Sequence, residues 1–434
     1  MTARLALLCL VFVTLSAPGP AIAAEADLPA ALAQAQARRA AVVIDFHAPW
    51  CYSCYYMARN VLTGREWQAI EQSSVVMSVD ADAPEGAALK DRLKVKALPS
   101  YVVLDASGAE LGRILGEQTR EDFYRQLGTI LARGNNLDDL AAQVRDAGAA
   151  SLAAGRSVLK SYHARYDSEG AFAWLASLPA AAATALKSDP EGQALIARLR
   201  FLQAAQAGDT ASCLSAGAQV LAQDLACERS YELDRYLGCT AKAPARTSLL
   251  AAQRPAMDQL LQQRVFGKTP CADERSAVLA AADLYQALGD SAAEKALLQR
   301  AARAAEGRLG QRLSADRNQA DNLRVYLDRA GDTARLDALM PRLVTAYPDD
   351  YVYAFRHGRS LLARGRAAEA LPWLEKAAPL AYGINRLKVA QERVKALQAL
   401  QREAEARKVV AEALKANGPW FPEEAAKLKG LLKA

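Results

Sequence analysis

The chain has 434 residues and carries 54 Lys and Arg against 48 Asp and Glu, a net charge of +6, with the basic residues spread out rather than massed. A nucleic-acid partner is therefore not indicated. At 52% hydrophobic and 24% charged residues the composition suits a globular chain with much helix, and the length exceeds what one compact core holds, so two or three domains are expected.

Residues 1–23 read as a secretory signal peptide. Arg4 is followed by the apolar run Leu5 to Leu15, broken only by Thr14, and then by the small-residue triplet Ala21-Ile22-Ala23, where cleavage is expected. The run falls short of the roughly 20 residues that span a bilayer. No later stretch is apolar enough to cross one, so the mature chain is expected to be a soluble periplasmic protein without a transmembrane segment. Cys9 leaves with the leader, and six Cys stay: Cys51, Cys54, Cys213, Cys227, Cys239 and Cys271. An even set suits an oxidising compartment, and the last four are candidates for two structural disulfides in any of three pairings.

Residues 24–135 alternate strands and helices. A helix over Leu28 to Arg39 precedes the strand Ala41 to Phe46, whose nearly unbroken apolar run is that of a strand buried on both faces. A helix starts at the first Cys pair and runs to about Asn60, resuming over Arg65 to Ile70 after the break at Gly64. Val75 to Val79 is a second strand and Ala87 to Leu93 a helix. Tyr101 to Leu104 and Glu110 to Leu115 flank Asp105-Ala-Ser-Gly108 as a hairpin. Arg120 to Leu131 closes the unit as an amphipathic helix, and Arg133-Gly-Asn-Asn136 marks the boundary.

Beyond Asn136 the chain reads as helices alone. Residues 136–274 are a helical region holding the four later Cys, either divergent pairs continuing a solenoid or a separate helical domain. The clearest period lies in residues 275–434, where Gly331 and Gly365 stand 34 residues apart, each between two apolar-periodic helices, with Pro348 closing the first unit. Gly358, Ala370, Leu374 and Ala377 occupy the small and apolar positions that let paired helices approach. Ala282, Gly289, Leu298 and Ala301 repeat the scheme with Glu294 in a small residue's place, and Val394, Ala406, Val410 and Ala413 give a weaker copy. This pattern resembles the tetratricopeptide repeat. The resemblance implies an all-α array in which neighbouring pairs stack to cover each other's apolar faces, offering a surface for a protein partner.

The chemistry concentrates in Ile44-Asp45-Phe46-His47-Ala48-Pro49-Trp50-Cys51-Tyr52-Ser53-Cys54, directly after a buried strand and opening a helix. A thiol at a helix N-terminus meets unpaired N–H groups and the positive end of the helix dipole, which stabilise its thiolate. Cys51 is thus the expected nucleophile, and Cys54, one turn on, the resolving thiol.

This segment resembles the thioredoxin superfamily over roughly residues 40 to 131. The likeness rests on the Trp50-Cys-x-x-Cys54 pair, on Asp45 six positions before Cys51, and on Leu98-Pro99 ahead of the third strand. It implies an α/β thioredoxin fold, a central mixed sheet with flanking helices, ahead of the all-α repeats. It also implies that Pro99 is a cis-proline beside the site, that the Leu98-Pro99 loop pairs with substrate, and that Asp45 relays a proton to or from the second thiol. Within the superfamily the segment is most similar to the periplasmic C-terminal domain of DsbD-type proteins. The shared traits are the Tyr56 to Ile70 extension, with Val61, Trp67 and Ile70 as apolar anchors, and Ala97-Leu98-Pro99-Ser100. That likeness implies disulfide-bearing protein substrates and a membrane reductant conductor as electron donor, with no cofactor beyond the Cys pair.

Blander readings stand beside these. A zinc site lacks a second Cys-x-x-Cys or paired His nearby, since His47, His163 and His357 are scattered. A purely structural bridge is disfavoured because Trp50 and the strand-to-helix context place the pair at an exposed tip. His47 reads as a surface or packing residue rather than a catalyst. Trp50 and Tyr52, with Tyr55 and Tyr56, form either a substrate-facing rim or ordinary packing. The expected function is a protein-disulfide reductase whose repeats recruit a partner. The alternatives are an adaptor with a redox-dependent docking module, or a disulfide oxidase or isomerase.

Overall fold

The computed structural model describes residues 27–147 and 151–432. The signal-peptide segment lies outside the described residues. None of the described helices is long and apolar enough to cross a membrane.

The first unit runs α1 (Leu28–Arg38), β1 (Val42–His47), α2 (Tyr52–Asn60), α3 (Gly64–Ser73), β2 (Val75–Asp80), α4 (Pro84–Arg92), β3 (Ser100–Leu104), β4 (Glu110–Leu115) and α5 (Arg120–Arg133). The strands form one mixed sheet in the order β2-β1-β3-β4, with β1 parallel to β2 and antiparallel to β3. This is the expected thioredoxin-like arrangement, with α4 beginning earlier than the apolar pattern suggests because Pro84 fits the first turn of a helix, where no N–H is needed.

Because side chains alternate along a strand, β1 serves two cores. Val42, Ile44 and Phe46 pack with Leu28, Ala31, Met77, Val79 and Leu89 on the α1/α4 face, while Val43 packs with Met57, Val61, Trp67, Phe123 and Leu127 on the α2/α3/α5 face. Burial on both sides explains why the strand reads as a continuous apolar run. The same alternation puts Asp45 on Val43's side, beneath α2, and in register with Tyr101 of β3.

The remainder is helical. Helices α6 (Leu137–Ala147), α7 (Leu152–Ala164), α8 (Ser168–Ser177), α9 (Ala180–Ser188) and α10 (Pro190–Ala207) enclose a core from Leu137 to Leu199. Arg165, the C-cap of α7, ties this group to β4 through Glu110 at 2.8 Å. Next come α11 (Thr210–Leu221), α12 (Arg229–Thr240), α13 (Arg246–Ala251) and α14 (Arg254–Leu260). Their core belongs to one cluster with members from Phe201 to Val389, so the Cys-bearing helices share an interior with the first repeats.

Four helical hairpins follow: α15 (Glu274–Ala287) with α16 (Ser291–Leu309), α17 (Arg317–Arg329) with α18 (Thr333–Ala346), α19 (Val352–Ala363) with α20 (Ala367–Ala377), and α21 (Gly383–Ala399) with α22 (Glu403–Asn417). Helix α23 (Pro422–Gly430) closes the described chain. The first three hairpins turn at Gly289, Gly331 and Gly365, at φ of 75°, 65° and 75°, which glycine adopts at little cost. The fourth uses Gln401 at φ 58°, the structural counterpart of its weaker sequence pattern. Gly358 shows why a small residue sits in α19: a Cβ there would lie 2.6 Å from Leu374 Cγ of α20.

Candidate functional site

Helix α2 begins where β1 ends, and Cys51 is its N-cap. Cys51 Sγ accepts a hydrogen bond from Cys54 N at 3.1 Å, so the sulfur occupies the place an N-cap oxygen usually takes and meets the positive end of the helix. The pair is oxidised, its Cα atoms 5.2 Å apart. Ala48, Cys51 and Cys54 form a small apolar cluster against which Leu98 packs, and the Leu98-Pro99 peptide bond is cis. The structure therefore brings Leu98 against the Cys pair, with the cis bond to Pro99 directly after it, and β1 carries Asp45 on its α2-facing side.

Burial raises the Asp45 carboxyl from 3.8 to about 6, and the positive charge of His47 opposes the rise. Tyr101, directly across the ladder from Asp45, has its hydroxyl pushed up by burial and then by the Asp45 charge. A second carboxyl, Glu117 after β4, is 7% exposed and raised well above its usual range, first by burial and then by Asp273, while a hydrogen bond with Ser53 works the other way. Sequence reasoning gave Glu117 no role.

The expected exposed tip is not what the chain builds. Cys51 is 3% and Cys54 8% exposed, because the helical region covers the start of α2. Tyr52 is engaged by its own chain rather than standing open as a rim: its hydroxyl donates to Asp273 Oδ2 at 3.2 Å and meets Ser276 Oγ at 3.1 Å, and its carbonyl accepts from Asn318 Nδ2 at 2.9 Å. The Arg275 guanidinium lies 3.8 Å from the centre of the Tyr52 ring. Arg317 is stacked among Tyr55, Tyr347 and Tyr353, 4.3 Å from the first. Trp50, 37% exposed, gives its indole N–H to Asp82, and its carbonyl accepts from Arg356 Nη2 at 2.9 Å. Asn385 Nδ2 reaches the same Asp82 carboxylate at 2.9 Å, and Tyr382 donates to Asp80.

Apart from Tyr347 at the end of α18, these contacts come from the start of the first helix in each of the four hairpins: the first three meet residues 50–55, and the fourth holds Asp80 and Asp82, the latter the partner of Trp50. Asp321 of α17 is their hub. It is fully buried and accepts from Arg275 at 2.7 Å, from Arg324 at 2.8 Å and from Arg356. Burial alone would raise its carboxyl, but Arg324, Arg356 and Arg275 outweigh that and hold it well below the carboxylate range.

The four later Cys lie apart from the site as two bridges, Cys213–Cys239 and Cys227–Cys271, with Cα separations of 5.9 and 5.7 Å. The second has a positional effect. Cys271 stands two residues before Asp273, and Tyr231, four residues after Cys227, donates to Asp273 Oδ2 at 2.8 Å. Among the described residues no cluster of three or more His, Cys, Asp or Glu side chains is arranged to hold a metal ion.

A mixed sheet in this order, a Cys-x-x-Cys pair capping a helix and a cis-proline adjoining the Leu98 that packs on the pair define a thioredoxin-like domain. Residues 23–106 match the thioredoxin-like family model. Over 110 residues the chain is 35% identical to the thiol:disulfide interchange protein DsbD of Cronobacter sakazakii, covering 24% of this chain and 19% of that protein. It is 33% identical to the DsbD of Yersinia enterocolitica, covering 24% and 18%. The chain thus spans less than a fifth of the length of these relatives. Among solved structures, a thioredoxin from Thermus thermophilus is 35% identical, covering 25% of this chain and 86% of that one at a TM-score of 0.24. A tetratricopeptide repeat protein from Parabacteroides merdae is 14% identical, covering 65% and 97% at 0.39.

Proposed function

We propose that the chain is a periplasmic thiol:disulfide oxidoreductase acting as a protein-disulfide reductase. The observation that carries this is Cys51 as the sulfur N-cap of α2, with Cys54 one turn on. In the forward cycle the Cys51 thiolate attacks one sulfur of a client disulfide and expels the other as a thiolate, which takes up a proton. Cys54 then loses its proton to the Asp45 carboxylate and attacks Cys51 Sγ. The second client sulfur leaves as a thiolate, takes up the proton from Asp45, and the Cys51–Cys54 bridge forms, so two electrons have passed from the dithiol to the client. The carboxyl near 6 suits that proton exchange at neutral pH. Leu98, packed on the pair, and the adjoining cis Pro99 are assigned to the client backbone, with Trp50 at the open edge. A dithiol donor, a membrane reductant conductor by analogy with the DsbD likeness, restores the reduced pair.

The test is a Cys54→Ser chain incubated with disulfide-bearing proteins, alongside insulin reduction by the wild type. Mixed disulfides through Cys51 and turnover lost in Cys51→Ser are expected; no adducts and no turnover would reject the reading. Direction follows from the equilibrium with glutathione, because pairs on this fold span roughly −270 to −120 mV. A value at the oxidising end would make the chain an oxidase instead.

The grip of three hairpins on the Cys segment, with the fourth on Asp80 and Asp82, also favours a second reading, an adaptor whose repeats bind a protein partner and whose Cys pair reports redox state. Partner retention after both Cys51 and Cys54 are changed to Ser selects it. Loss of every partner rejects it.

A further inference from the structure

Cys51 has two chain neighbours, and the helical region holds both. Arg356 of α19 donates to the Trp50 carbonyl at 2.9 Å, Arg275 of α15 covers the Tyr52 ring at 3.8 Å, and Asn318 of α17 takes the Tyr52 carbonyl at 2.9 Å. Two of these three groups share a support. Asp321, 0% exposed, binds Arg275 and Arg356 together with Arg324.

A buried carboxylate is costly and adds little net stability even when fully paired. What it does supply is direction. Arg side chains are long and rotamer-rich, and a fixed carboxylate aims their planar donors at one place. Here that place is the peptide on either side of the proposed nucleophile. Three guanidiniums against one carboxylate also leave the cluster positive.

The other charged groups around the segment include Asp45 and His47 from β1, Asp80 and Asp82 at and after the end of β2, Glu117 after β4, and Asp273, Glu274 and Arg317 from the helical region. Asp82 is engaged by Trp50 and Asn385, and Asp273 by Tyr52, Tyr231 and Ser276. Arg317 is paired with Asp350.

We infer that Arg356 and Arg275, aimed by Asp321, are positioning residues of the disulfide-exchange site: they fix the Trp50–Tyr52 segment from outside the thioredoxin-like domain and present positive charge to the Cys51 sulfur. The helical region is then part of the redox site as well as a place for partners. This rests on the proposed role of Cys51 as nucleophile and adds to it residues more than 220 positions away in the sequence.

The experiment follows the rate of Cys51 alkylation by iodoacetamide against pH in the full-length chain carrying Cys54→Ser, where the profile's midpoint reads thiolate formation and its plateau reads access. Arg356→Gln and Arg275→Gln are each expected to raise the midpoint by about half a unit or more, as removal of a nearby charge should. Arg356→Lys, which keeps charge but loses the planar donor, is expected to return part of the shift. A general loosening of the fold would alter the plateau without this charge-dependent recovery. Asp321→Asn can fail to fold, whereas Arg356 lies at the rim of the cluster and leaves Asp321 two partners. Midpoints unchanged in both Gln variants overturn the inference and leave the nucleophile reading intact. A parent chain whose Cys51 titrates as an ordinary thiol removes both.

Discussion

The Asp45 carboxyl offers the sharpest test of the buried chemistry. Its proton is held to about pH 6 in the folded chain against 3.8 when exposed. Between those values the folded state keeps a proton that the unfolded state has lost, so ionisation opposes folding. Stability is full below about pH 4, drains away as pH rises towards 6, and stays lost above. At 1.36 kcal/mol per unit, a rise of about two units corresponds to about 3 kcal/mol of destabilisation at neutral pH. Asp45→Asn removes the charge and keeps the shape. Denaturant unfolding of the oxidised wild type and variant, followed through Trp67 fluorescence, should give nearly equal midpoints at pH 4. The variant should be more stable at pH 7.5, by up to about 3 kcal/mol. A difference that is flat with pH, or that favours the wild type at neutral pH, would refute the argument that this carboxyl is desolvated beneath α2.

Other expectations are structural. Phe123 is completely buried, with Tyr101 edge-on at 4.9 Å and Tyr124 at 5.3 Å, so Phe123→Ala should cost about 3–5 kcal/mol in unfolding of the sheet domain. Gly358→Val drives a side chain into Leu374 and should destabilise the α19/α20 hairpin by about 1–3 kcal/mol, seen as faster hydrogen exchange there and not in β1. Replacing Cys227 and Cys271 by Ser opens a loop with a sequence separation of 44. Chain entropy puts the loss at up to about 4 kcal/mol. Because that bridge flanks Asp273, the same change should also make the Tyr52 ring more accessible to nitration; an unchanged Tyr52 would show that Asp273 is placed by other contacts.

What could be read from the sequence was local. The run Ala41 to Phe46 announced a strand covered on both faces, and Asp45 stood out within it six positions before Cys51. Gly289, Gly331 and Gly365 marked hairpin turns because each needs a backbone conformation that glycine adopts easily. The partners of Trp50 and Tyr52 left no such trace. Asp273, Asn318, Asp321 and Arg356 each open or follow the start of a helix, where polar residues ordinarily face water, and only their packing against the sheet domain and one another turns them inward. The pairing of Cys213 with Cys239 and of Cys227 with Cys271 was equally hidden, since it depends on how α11, α12 and the segment before α15 fold back on one another. Glu117 lacked a motif; its burial comes from the helices that arrive over Ser53.

Cutting the chain after α5 would not yield the same reagent in smaller form. A fragment ending near Arg133 would bare Tyr52, Tyr55 and the Trp50 carbonyl to solvent and strip the guanidiniums from around the bridge. Its potential and reactivity would describe the fragment alone. Engineering that grafts this Cys segment elsewhere must carry the matching ends of four distant helices with it.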